Sequence, residues 1–69
     1  MPYADNMDLP PAVRDHLPAH AQDIFRAAFN AAYAEHKGDP RQEEASFRIA
    51  WAAVKKQYHK LGDVWVPRK

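Results

Sequence analysis

Residues 17–36 read LPAHAQDIFRAAFNAAYAEH, and this stretch decides the fold. Ala21, Phe25, Ala28, Phe29, Ala32 and Tyr33 recur at the i, i+4, i+7 spacing that gives a helix one buried face. Asp23, Arg26, Asn30 and Ala34 fall on the opposite side. The alanines cost least to place in a helix and let a neighbouring helix come close. Phe25, Phe29 and Tyr33 supply the burial, each about 1.5–3 kcal/mol when fully covered. Pro18 opens the helix, which the pattern extends from about Ala19 to Lys37.

Lys37-Gly38-Asp39-Pro40 ends it. Gly38 suits the left-handed conformation past a helix C-terminus, Pro40 follows at the usual distance, and Lys37 complements the helix dipole. A third helix is expected from Pro40 to Leu61, with Glu43 and Glu44 in its first turns and Lys55, Lys56 and Lys60 near its end. Its apolar stripe is Phe47, Ala50, Trp51, Val54, Tyr58 and Leu61, and Gly62 reads as its stop. Before the main helix, Asp8 is expected to cap a short helix over Pro11–His16, which Pro18 terminates.

Val64-Trp65-Val66 is β-branched and aromatic, so it reads as a short strand or as an extended tail carrying Trp65 to the core. The strand partner on offer is the Pro2-Tyr3 end. The expected fold is therefore mainly α. It is a compact three-helix domain, a short helix followed by a two-helix hairpin, with a small β element pairing the N- and C-terminal segments.

Composition narrows the function classes. The 69 residues, 46% of them apolar, fit one marginally stable domain with a single core. The chain has no cysteine, which removes disulfides, thiolate nucleophiles and cysteine-based zinc sites together. The start, MPYADNMDLPP, has neither the basic nor the apolar region of a signal peptide, and no run of residues is long and apolar enough to cross a bilayer. A cytoplasmic, monomeric protein is expected.

The net charge of +1 is unevenly spread. Residues 1–47 carry Arg14, Arg26, Lys37 and Arg41 against Asp5, Asp8, Asp15, Asp23, Glu35, Asp39, Glu43 and Glu44, a balance of −4. Residues 48–69 carry six cations against Asp63 alone, a balance of +5. The chain is electrically two-ended.

With these segments placed, the chain resembles the ChaB family of small bacterial proteins. The residues that carry the likeness are Met1-Pro2-Tyr3, Asp8-Leu9-Pro10, and Leu17-Pro18 followed by His20-Ala21-Gln22-Asp23-Ile24. Ala28-Phe29-Asn30, Ala50-Trp51-Ala52-Ala53-Val54-Lys55 and Tyr58 complete it. The motifs cover most of the chain in the family's order. The resemblance implies a helical fold with a small β element near the termini. It also implies a regulatory role linked to a calcium/proton or sodium/proton antiporter, a role inferred for the family without an established mechanism. Some viral relatives look like DNA-binding proteins. The Lys37–Glu44 loop departs from the pattern, being short and without a long acidic insert for cation sensing.

The main candidate surface is basic. Arg48, Ala52, Lys55 and His59 follow an i, i+4, i+7, i+11 course on the third helix, with Lys56 and Lys60 beside them and Arg68 and Lys69 continuing along the tail. Such a stripe suits phosphates, acidic lipids or an acidic protein surface, and equally an ordinary solvated face. His20, Gln22, Asp23 and Asn30 match the family motif. They form either a polar partner site or local helix-start contacts: Gln22 and Asp23 on free N–H groups, His20 on the backbone where the first helix ends. His16 and His20 are separated by Pro18, and His36 falls on the apolar side of its helix. The sequence has no HExxH, EF-hand or Cys/His pattern, so no metal and no cofactor are expected. It offers no nucleophile beside a base and no glycine-rich phosphate loop, so no enzyme is expected. Three readings follow: a regulatory adaptor for an acidic protein partner, such as the cytoplasmic surface of a cation antiporter; a nucleic-acid-binding module using the basic face of the third helix; or an accessory protein docked through uncovered apolar surface.

Overall fold

The computed structural model describes residues 3–68. A 3-10 turn, Asn6–Asp8, leads into α1 (Pro11–Arg14), α2 (Ala19–Glu35), α3 (Gln42–Gln57) and a hairpin of β1 (Tyr58–Leu61) and β2 (Val64–Pro67). The helical hairpin and the short first helix stand as the sequence indicates. Asp8 does not cap α1; it lies in the 3-10 turn, and Pro10 holds the cap position without a side-chain bond.

The core follows the periodicity. Ala21, Phe25 and Phe29 from α2 meet Ala50 and Val54 from α3, and Leu9, Val13 and Leu17 close one end. Phe25 stands edge-on to Trp51 at 5.2 Å, and Phe29 edge-on to Phe47 at 4.9 Å, the offset geometry that ring quadrupoles favour. Ser46 is fully buried between the helices and donates its hydroxyl to the Gln42 carbonyl at 2.6 Å. Gln42 itself donates from Nε2 to the Tyr33 carbonyl at 2.6 Å, tying the start of α3 to the end of α2.

The β element exists, but its pairing differs from the expectation. β2 runs antiparallel to β1, with Tyr58 opposite Pro67 and Leu61 opposite Val64. Pro2 lies outside the described residues, and Tyr3 is bonded to Asn30 on α2 instead of to a strand. The third helix is correspondingly shorter. It ends at Gln57, where Tyr58 turns to φ −130 and ψ 156, so the helical reading of 58–61 is corrected. The cause lies just beyond. Gly62-Asp63 is a two-residue loop with positive φ at Gly62 alone, the type II′ arrangement that matches strand twist. Tyr58 still reaches the core, at 5% exposure, because the pleat turns it inward. Leu61, expected in the helical stripe, is instead 65% exposed.

The hairpin reverses the chain onto the end of α3. There the Arg68 N–H donates to the Gln57 carbonyl at 2.8 Å and Arg68 Nε donates to the Lys55 carbonyl at 2.7 Å. Carbonyls that a helix C-terminus leaves without partners are thus satisfied by the returning tail.

Candidate interaction surface

The two sets of candidate residues meet different surroundings. In the polar motif, Asn30 faces the backbone of Tyr3. Its Oδ1 accepts from the Tyr3 N–H and its Nδ2 donates to the Tyr3 carbonyl, both at 2.8 Å, as a neighbouring strand would. Gln22 reaches backwards, donating from Nε2 to the carbonyls of Leu17 at 2.8 Å and Arg14 at 3.1 Å, so it closes the end of α1. Asp23 accepts from Asn6 Nδ2 at 2.7 Å and lies 3.8 Å from Arg26, which donates from Nε to Asn6 Oδ1 at 2.7 Å. Gln22 and Asp23 therefore bind neighbouring segments, where the sequence suggested free N–H groups of their own helix. His20 is exposed, with its ring 6.3 Å from that of Tyr58, and makes no bond to the end of α1. Asn6 was missed by sequence reasoning. A lone asparagine in a loop gives no sign that it will bridge Asp23 and Arg26.

Burial also acts on Tyr3. Its ring packs 4.8 Å from Phe29. Desolvation, with Glu43 and then Tyr33 nearby, raises the phenol above its ordinary value of 10.0.

The basic residues are arranged otherwise. Lys55 and Lys56 are exposed in the last turn of α3, where cations suit the dipole. Arg68 is fastened beside them through its bond to Lys55. His59 and Lys60 lie on β1, not on a continued helix, so the i+11 course is broken after Lys55. Lys60 is exposed; His59 is half-buried opposite Val66. Arg48 is exposed about 10 Å back along α3, seven residues at 1.5 Å each. The structure thus gathers Lys55, Lys56, His59, Lys60 and Arg68 around one helix end and leaves Arg48 apart; Lys69 lies outside the described residues. Among the described residues the one ion pair is Arg26–Asp23, so none of these cations has a described carboxylate within bonding distance. No pocket is found, and no group of three metal-ligating side chains comes together among the described residues.

These features define a class: a small helical-hairpin domain with a β-hairpin appendage, whose distinguishing surface is a cluster of exposed cations. The ChaB family matches residues 9–68, and the chain belongs to that family. Relatives from Escherichia coli K12 and Shigella flexneri, both bearing the name "Putative cation transport regulator ChaB", are 45% identical over 69 residues. The alignment covers 91% of this chain and 91% of each relative. A solution NMR structure of a protein of that name superposes with a TM-score of 0.87 at 43% identity, covering 99% of this chain and 100% of the other. The name of these relatives supports a regulatory role. Among the described residues no helix is long and apolar enough to cross a membrane.

Proposed function

We propose that the protein is a non-enzymatic cytoplasmic regulator of cation transport, acting as a single monomeric domain that binds an acidic surface on a protein partner. The name of its relatives suggests the setting, and the cytoplasmic face of a calcium or sodium/proton antiporter is the partner class that fits it. One observation carries the binding mode. Lys55, Lys56 and Lys60 stand exposed around one helix end, with Arg68 fastened to the same end and no described acid paired to them. Cations without a described acid beside them keep their field available to a partner, which speeds encounter and selects against basic surfaces.

Nucleic-acid binding by the same face has less support. The whole chain carries only +1, and Phe47, Trp51 and Tyr58, the aromatic residues along that segment, lie in or against the core instead of standing free to stack on bases.

The test is a pull-down with the antiporter's cytoplasmic segments, read beside an antiport assay. Reversing two charges with Lys55→Glu and Lys56→Glu is expected to weaken capture at least ~10-fold, about 1.4 kcal/mol or more for the pair. Capture and transport both unchanged by the double variant would sink the proposal.

A further inference from the structure

The pleat sorts the β-hairpin into two faces. Cross-strand partners point the same way, so Tyr58, Lys60, Trp65 and Pro67 share one face. Tyr58 is buried and Trp65 lies 5.8 Å from Trp51, which places that face against the core. Leu61 and Val64 belong to the other face, at the tip, with His59 and Val66 behind them. They are 65% and 59% exposed, and neither joins the core cluster. A methyl-sized probe at Gly62, in the turn between them, would meet nothing within 4 Å. The tip is a bare, convex, aliphatic point.

We propose that this tip docks peripherally on an anionic lipid surface, with Leu61 and Val64 entering the headgroup layer and the surrounding cations facing lipid phosphates. Three observations select that occupant. The region that bears the tip, residues 48–69, carries +5, so the aliphatic pair is set in a positive field. Lys60 precedes Leu61 in sequence with its side chain on the other face of the hairpin, and the end of α3 at Gln57, where Arg68 is fastened, lies four residues back from Leu61, about 13 Å. That is more than the roughly 8 Å Debye length at physiological salt but well within the roughly 30 Å at 0.01 M, so at low salt those charges act on the surface the tip touches. Finally, two side chains cannot supply the roughly 1,200 Å² that a stable protein interface buries, and two copies meeting tip to tip would bring their positive ends together. A few inserted apolar groups plus several cations is the combination that holds proteins reversibly at membrane surfaces. Asp63, at the turn itself, opposes the attraction and keeps it weak.

Vesicle co-sedimentation of the whole chain at low salt tests this. Retention on phosphatidylcholine mixed with phosphatidylglycerol, little retention on phosphatidylcholine alone, and loss on adding salt are expected. Leu61→Ser with Val64→Ser should weaken binding about tenfold, and Asp63→Asn should strengthen it. Equal retention on both lipids, no retention on the anionic vesicles, or retention indifferent to the Leu61/Val64 change would overturn the proposal. So would a concentration-dependent dimer that disappears in that variant, which would give the tip to a second copy. The vesicles hold no protein partner and the pull-down holds no lipid, so either reading can fail without the other.

Discussion

The N-terminal 35 residues and the C-terminal 22 use polar side chains in opposite ways. In the first region Asn6, Gln22, Asp23, Arg26 and Asn30 bond to one another or to backbone that would otherwise be unmatched. In the second, Arg48, Lys55, Lys56 and Lys60 have no described side-chain partner, and Leu61 and Val64 have no cover. A segment that lacks regular structure needs polar staples to hold it on a helix. A helix end supported by its own hairpin does not, and its charges remain available. Polar residues that look like a site can thus be joints, while an ordinary-looking run of lysines keeps the freedom to bind.

Substitutions can break this contrast. The largest effect is expected at Phe25, which packs against Phe29, Phe47 and Trp51 under both regions. Phe25→Ala should cost about 3–5 kcal/mol, enough to leave a chain of this size largely unfolded by urea titration or calorimetry. Asn30→Ala should come next. It removes two bonds to the Tyr3 backbone and leaves half-buried polar groups unmatched, for about 1 kcal/mol and a measurable fall in Tm. Charge reversal at Lys55 and Lys56, by contrast, should lower Tm little while weakening partner capture, since each loses only a dipole interaction of about 0.3–1 kcal/mol. An Asn30→Ala variant as stable as the parent, or a Lys55/Lys56 variant that unfolds, would erase the distinction.

The smallest effect lies at high pH. The Tyr3 phenol titrates above 10.0 in the folded chain because burial disfavours the phenolate. Once the pH passes 10.0 the unfolded chain loses that proton more readily than the folded one. Stability present below this point therefore falls as pH rises through the folded value. Tyr3→Phe should flatten that alkaline decline, seen as Tm against pH above the neutral range. An unchanged slope would place the cause elsewhere.

Much of the fold was legible because it rests on local rules. The Ala21–Tyr33 stripe, the Gly38 stop and the Pro18 start each follow from side-chain spacing or backbone freedom within a few residues. The hairpin was partly legible. Leu61-Gly62-Asp63-Val64 sets a two-residue Gly-Asp loop between apolar flanks, a hairpin signal. Reading Gly62 as a helix stop hid it, because Tyr58 and Leu61 also continue the helical period of Phe47, Trp51 and Val54. Two periods fit the same residues, and a single turn decided between them.

The sequence by itself settled the helical hairpin, the composition of its core and the two-ended charge, since periodicity and charge are properties of the chain alone. Only the tertiary structure decided which polar residues act as joints and where the cations gather. Asn30 meets Tyr3 across 27 positions and Arg68 meets Lys55 across 13, and such contacts exist only after helix packing and the hairpin have brought distant backbone together.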